Sequence, residues 1–249
     1  MDAEFLDLPD GRRIAYRRSA GEGPGVVFLG GFRSDMTGTK AAFLEGWARA
    51  RGRAFLRFDY TGHGASSGDF RALGVGDWAQ DARDAILRLT EGPQVLVGSS
   101  MGGWIALILA GWTPGRIAGL VGVAAAPDFT EDAMWDVFDE GQRRRLMAEG
   151  VIELPSDYDD APYSITRRLI EDGRRRLVLR APLDLPFPVR LLHGTADRDV
   201  ALSVPLRLLA HATGPDIRLT LVKDADHRFS APENLELLAE TIEGIVRAP

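Results

Sequence analysis

Gln94-Val95-Leu96-Val97-Gly98-Ser99-Ser100-Met101-Gly102-Gly103-Trp104 is the stretch from which the rest of the chain can be read. A β-branched apolar run stops at Gly98, a glycine pair follows, and a long apolar segment begins. The pattern predicts a strand, a very tight turn and a buried helix starting at about Met101. Gly98-x-Ser100-x-Gly102 sets Ser100 at the tip of that turn. Glycines on both sides let two backbone arms pass closely, as a strained nucleophile elbow requires. The amides and dipole at the helix start favour negative charge beside the serine, which suits an oxyanion.

The five-residue pattern is weak without this context. Glycine supplies 28 of 249 residues, and at that frequency chance produces a match in about one such sequence in eight. A second match exists here, Gly64-Ala65-Ser66-Ser67-Gly68, followed by the polar Asp-Phe-Arg-Ala-Leu-Gly with no helical period. Only Ser100 has a strand before it and a helix after it. Ser66 is therefore read as a loop residue.

Strands and helices alternate on either side. Residues 3–8 and 12–18 read as a hairpin turned at Pro9-Asp10-Gly11. Val26–Leu29 is a short strand, apolar on both faces, and so belongs in the middle of a sheet. Helical spacing over 37–51 (Phe43, Leu44, Trp47), a strand at Ala54–Phe58 and a helix around 77–90 lead to the central stretch, and Ile117–Val123 is strand again. The alternation resumes at Val189–Leu192, 203–212, Ile217–Val222 and 233–247. Such a chain predicts an α/β fold: a mostly parallel, eight-stranded sheet with helices on both faces and an antiparallel edge from the leading hairpin.

The rhythm changes between about Asp128 and Pro186. Two charged segments, roughly 131–148 and 163–177, have helical spacing, with Met134, Trp135 and Phe138 in the first and Ile165, Leu169 and Ile170 in the second. The expected organisation is a core formed by 1–127 and 187–249 and a small helical lid inserted at 128–186. In open α/β sheets the chemistry sits beyond the carboxyl ends of the strands. Ser100, the Gly30-Gly31-Phe32 turn and the loops after Leu192 and Val222 all fall there.

Composition narrows the function classes. No run of about 18 apolar residues is present to span a membrane. A formal charge of −6 without a basic block argues against nucleic acid. Cysteine is absent, which removes disulfides and thiolate metal sites. The first residues show neither a secretory nor a transit pattern, so a cytoplasmic location is expected. Lysine occurs only at Lys40 and Lys223, which base composition of the coding sequence explains without a chemical role.

A serine hydroxyl needs a base, and the base needs an orienting group. Of four histidines, His63 precedes Ser100 in a Gly-His-Gly loop, His193 closes a strand, and His211 lies within a helix. His227 sits in a polar loop after the last apolar strand, which makes it the candidate base. Asp197 and Asp199 both follow a strand end. Asp199 shortly precedes a helix that it can cap or pair with, and Asp226 adjoins His227 and points away from it, which leaves Asp197 as the acid. The oxyanion donors expected are the Met101 amide and one from the Gly-Gly-Phe turn, Phe32 first and Gly31 second.

The chain resembles α/β-hydrolases. From about residue 22 onward it is similar to the subgroup containing a mitochondrial palmitoyl-protein thioesterase and acyl-glucuronide esterase and its bacterial relatives. The stretches that carry the resemblance are 28–40 (Phe-Leu-Gly-Gly-Phe-Arg-Ser-Asp-Met-Thr-Gly-Thr-Lys), 57–64 (Arg-Phe-Asp-Tyr-Thr-Gly-His-Gly), 91–104 and 190–194 (Arg-Leu-Leu-His-Gly). The chain departs from wider α/β-hydrolases at Gly30, where histidine is common. The resemblance implies a triad of Ser100, Asp197 and His227.

The expectation is a serine hydrolase that cleaves an acyl ester or thioester, S-acylated protein included, with no cofactor or metal. A cofactor-free haloperoxidase or C–C hydrolase keeps the same triad, and a non-catalytic hydrolase-fold receptor can retain it. Arg33, Trp135 and Phe138 are the candidate substrate contacts, with packing of the insertion on the body as the alternative reading of the two aromatic residues and a surface ion pair as that of Arg33. Arg33 follows the oxyanion turn and suits a carboxylate on the leaving group.

Overall fold

The computed structural model describes residues 3–154 and 162–247. The chain opens with the antiparallel hairpin β1 (Glu4–Asp7) and β2 (Arg13–Ser19). It continues through β3 (Glu22–Leu29), α1 (Thr39–Ala50), β4 (Arg53–Phe58), α2 (Val75–Leu89), β5 (Gln94–Ser99), α3 (Met101–Trp112) and β6 (Ile117–Val123). An inserted segment follows, with a π-helical turn (Thr130–Trp135), α4 (Glu140–Glu149), a second hairpin of β7 (Val151–Leu154) and β8 (Tyr163–Thr166), and α5 (Arg167–Arg174). The core resumes with β9 (Val189–Gly194), α6 (Ser203–His211), β10 (Ile217–Val222) and α7 (Pro232–Val246).

Eight strands form one sheet in the order β1-β2-β4-β3-β5-β6-β9-β10. From β4 to β10 every pairing is parallel, and β1 and β2 supply the antiparallel edge. Alternate residues of the central strands enter two separate cores, as the two-residue period of a strand dictates. Val26, Phe28, Val95, Val97, Val121 and Val123 pack under α1 and α7. Val27, Leu29, Leu96 and Leu120 pack on the opposite face with α2 and α3. The central strands are apolar at nearly every position because both faces are covered.

Helix α3 is buried at every position from Met101 to Ala110. A helix with no polar face needs cover on all sides, and part of it comes from the insertion. The Trp104 ring meets Phe129 edge-on at 5.5 Å, and its Nε1 donates to the Arg176 carbonyl at 3.1 Å.

The insertion departs from the expected pair of helices. Residues 163–166 are a strand paired with 151–154. The β-branched Ile165 and Thr166 have a ready partner there, and Thr166 caps α5 by accepting the Leu169 amide at 3.0 Å. The first charged segment is broken in two, because the Asp139 carboxylate accepts the Gln142 amide at 2.8 Å and starts α4 afresh. Residues 155–161 of the expected insertion lie outside the described residues.

The insertion is tied down at its base and at its flank. Asp128, fully buried, accepts the amides of Val178 and Leu179 at 2.8 and 3.0 Å and Arg180 Nη1 at 2.7 Å. The Asp172 carboxylate of α5 accepts the Gly76 amide in the first turn of α2 at 2.6 Å, where the helix dipole favours an anion.

Candidate active site

Ser100 stands between β5 and α3 with φ +53° and ψ −118°, a conformation that costs a non-glycine residue about 1–3 kcal/mol. Surrounding bonds enforce it. The Ser100 amide donates to Val123 O at 2.9 Å, while its carbonyl accepts from Gly103 and Ala126 at 2.9 and 3.1 Å. The flanking glycines are required by close approach. A Cβ at Gly102 would lie 2.1 Å from the Leu29 carbonyl oxygen, and one at Gly98 would lie 2.4 Å from Gly102 O. Ser66, in the competing match, braces its loop instead. Its hydroxyl donates to Asp59 O at 2.6 Å and accepts the Ala15 amide at 2.8 Å.

Asp197 and His227 occupy the loops after β9 and β10, adjacent parallel strands that end at the same sheet edge. His227 Nδ1 lies 2.9 Å from Asp197 Oδ2 and 3.1 Å from Oδ1. Asp197 Oδ1 also accepts the amides of Asp199 and Val200, both at 2.9 Å. Burial opposes ionisation of Asp197, but the bond from His227 and those two amides outweigh it and hold the carboxyl below the usual carboxylate range. Because Asp197 only accepts, Nδ1 of His227 carries the proton and Nε2 presents its lone pair.

The other acids and histidines are otherwise engaged. Asp226 accepts the Phe229 amide at 2.9 Å. Asp199 is exposed on the cavity wall. His193 donates through Nε2 to Val200 O at 3.0 Å, beneath Asp197, and burial lowers its pKa. His211 donates to Ala181 O at 2.8 Å. Asp197, Asp199 and His227 also bring three potential ligand atoms within 4.8 Å of one another. The amides and the imidazole already engage the Asp197 carboxylate, so the grouping is accounted for without an ion.

The Gly31-Phe32-Arg33 turn lies directly against the elbow, for a Cβ added to Gly31 would sit 3.6 Å from Ser100 Cβ. Among the described residues, no protein acceptor engages the Phe32 amide, and the amide of Met101, first in α3, has no acceptor within its helix. The Phe32 ring is locked by Phe70, Phe129 and Trp78 at 5.1, 5.8 and 6.0 Å. Behind the turn His63, buried, accepts the Arg33 amide at Nε2 (3.2 Å) and bonds Thr61 O through Nδ1 (3.3 Å).

Ser100 and His227 open into one cavity of about 630 Å³. Its lining is apolar at Phe32, Ala126, Phe129, Ala133, Met134 and Tyr163 and charged at Arg33, Lys40, Arg228, Asp35 and Asp199. The Arg33 guanidinium lies 5.4 Å from the Tyr163 ring centre and donates to Pro162 O at 3.0 Å. Lys40 Nζ donates to the Arg228 carbonyl, next to His227. Burial pushes its pKa down to about 8, opposed by Asp226 and assisted by Arg228. Sequence reasoning missed Lys40 because nothing in its local pattern shows which loop its side chain reaches.

Trp135 and Phe138 are corrections: neither lines the cavity. Trp135 packs with Arg174 and Arg143, whose charged groups lie 4.3 and 5.4 Å from its ring centre. Phe138 is buried in the core. The segment is wound with i→i+5 bonds, such as Asp136 N to Glu131 O at 2.9 Å. A 3.6-residue period therefore does not hold across Thr130–Trp135, and Ala133 and Met134 are the residues of this turn that line the cavity.

A strained serine at a strand-to-helix turn, with a hydrogen-bonded histidine–aspartate pair on loops at the same sheet edge, is the α/β-hydrolase arrangement. The alpha/beta hydrolase family profile matches residues 26–241, and the chain belongs to that family. It is 36% identical over 243 residues to the rat mitochondrial palmitoyl-protein thioesterase ABHD10, covering 97% of this chain and 82% of that protein. A pimeloyl-[acyl-carrier protein] methyl ester esterase of Methylococcus capsulatus is 31% identical, with 80% and 86% covered. The crystal structure of a putative hydrolase from Agrobacterium vitis superposes with a TM-score of 0.94 at 37% identity, over 99% of this chain and 100% of that one.

The expected cytoplasmic location does not stand. The mammalian relatives, 33–36% identical over 97% of this chain, are named as mitochondrial.

Proposed function

We propose that this chain hydrolyses acyl esters and thioesters through an acyl-enzyme formed on Ser100. At the coarser level of carboxylic ester or thioester hydrolase, the reading rests on family membership and on relatives named thioesterase and esterase. One observation carries the finer reading. Ser100, held at positive φ, shares a cavity with His227, whose Nδ1 is bonded to Asp197.

In this mechanism His227 Nε2 takes the Ser100 proton as Oγ attacks the acyl carbon. Asp197 keeps the imidazole in the required tautomer and stabilises the imidazolium. The amides of Phe32 and Met101 receive the oxyanion, His227 returns the proton to the leaving group, and water then releases the acid by the same route. The apolar lining around Phe129, Met134 and Tyr163 suits a short to medium acyl chain. The basic residues of the lining, Arg33, Lys40 and Arg228, suit a leaving group that bears a carboxylate, and S-acyl cysteine fits the same geometry. Residues 128–186 act as the lid over this cavity, and 1–127 with 187–249 as the core.

The test is turnover of p-nitrophenyl esters and acyl thioesters of increasing chain length by the wild type and Ser100→Ala. The variant should lose on the order of 10⁶ in kcat with its fold intact. Hydrolysis undiminished in Ser100→Ala, or no hydrolysis by the wild type, would remove the reading.

A further inference from the structure

His63 lies outside the triad and precedes Ser100 in the chain, yet it is buried at the back of the oxyanion turn. Its ring is edge-on to Trp78, Phe70 and Tyr60 at 5.1, 5.2 and 5.7 Å, which fixes its orientation. Both ring nitrogens are committed. The carbonyl of Thr61 only accepts, so Nδ1 carries the proton; the Arg33 amide only donates, so Nε2 offers a lone pair. Both bonds exist together only in one tautomer of the neutral ring.

The bond falls on the least stable part of the turn. Ser34 N donates to Gly31 O at 3.2 Å, which makes Phe32 and Arg33 the two middle residues. Arg33 has φ +57°, a conformation that glycine takes freely and arginine does not. A positive φ at the third position marks a type II turn, whose middle peptide is flipped relative to the commoner type I. The imidazole holds the Phe32–Arg33 peptide in this unfavoured orientation.

We propose that His63 is a positioning residue for the oxyanion hole: by accepting the Arg33 amide it fixes the turn that presents the Phe32 amide to the acyl oxygen. The inference rests on the acyl-enzyme reading above. Protonation breaks the arrangement, because an imidazolium sets an N–H against the Arg33 N–H. Burial, assisted by Arg33, pushes the His63 pKa down to about 4, while its bond to Thr61 acts the other way. Among the described residues, the other charged groups around the adjoining cleft are Asp69, Arg71 and Glu153.

The experiment compares wild type, His63→Leu and His63→Gln on one neutral p-nitrophenyl ester, with inhibition by a trifluoromethyl ketone, whose serine adduct carries an oxyanion. His63→Leu should lower kcat by about 10- to 100-fold, less than loss of an oxyanion donor itself, with KM within about twofold. Ketone affinity should fall in step with kcat/KM. His63→Gln, whose Oε1 accepts a hydrogen bond, should recover most of both. Wild-type kcat in His63→Leu, undiminished ketone affinity, or no recovery in His63→Gln would overturn the proposal. Should the leucine variant fail to fold, nitrogen NMR of the imidazoles in the wild type decides: at about pH 5.5 His63 should be neutral and protonated on Nδ1. A charged ring or the Nε2-protonated tautomer would refute the bond to Arg33. A wild type that neither turns over ester nor binds the ketone defeats the acyl-enzyme reading instead, and the NMR result still judges the His63 bond.

Discussion

The Asp197 carboxylate receives three donors, His227 Nδ1 and the amides of Asp199 and Val200. It is held ionised and in place before any substrate arrives. Asp199, two residues on, is exposed and contributes its backbone amide to that carboxylate.

Asp197→Asn should therefore lose on the order of 10⁴ in kcat, because an amide can donate to Nδ1 and stabilise the wrong tautomer. Asp199→Asn should change kcat by less than about tenfold. Steady-state kinetics on one ester compares the two. A dead Asp199 variant beside an active Asp197 variant would move the acid two residues along the loop.

Arg33 joins the Gly31-Phe32-Arg33 turn to the start of β8 through Pro162 O and the Tyr163 ring, and its guanidinium stands at the cavity wall. Arg33→Ala should raise KM for an ester with a carboxylate on its leaving group more than for a neutral ester of the same acyl group, with a smaller change in kcat. Equal losses on both substrates would make Arg33 a tether alone.

The strand–helix alternation was legible because buried parallel strands are apolar at every position and the connecting helices keep a 3.6-residue period. Ser100 was legible because only one of two Gly-x-Ser-x-Gly matches had a strand before it and a helix after it. The insertion was less so. Tyr163–Thr166 pairs with a strand nine residues earlier, and Trp135 sits in a π-wound turn, where neither local pattern nor helical period applies. His63 and Lys40 were invisible for another reason. Their roles come from partners 30 and 188 residues away, the Arg33 amide and the Arg228 carbonyl.

Asp128 closes the insertion against Val178, Leu179 and Arg180. Asp128→Ala removes a buried carboxylate and leaves two amides without acceptors, a loss of about 2–4 kcal/mol. Urea unfolding should show the lowered midpoint, and limited proteolysis should place the first cuts within the insertion. An unchanged midpoint would show that the helix packing alone fixes this segment.

Lys40 gives a pH dependence of defined sign. Its folded pKa, about 8, lies below the ordinary lysine value of 10.5. Between those values the unfolded chain binds more protons than the folded one, so this residue's contribution to stability rises with pH across that window. Below pH 8 its burial costs stability by a constant amount. Lys40→Met should flatten the rise between pH 8 and 10.5 relative to wild type in denaturant titrations. Parallel wild-type and variant curves would place the ammonium in water.

Covalent capture of the nucleophile bears on the whole scheme. A fluorophosphonate reacts with a serine only where a base and an oxyanion hole act on it together. Intact-protein and peptide mass spectrometry after reaction should find one equivalent of phosphonate per chain, on Ser100. Labelling should be lost in Ser100→Ala and slowed on the order of 10⁴-fold in Asp197→Asn. Phosphonate on Ser66, or an unlabelled wild type, would contradict the triad and the acyl-enzyme mechanism built upon it.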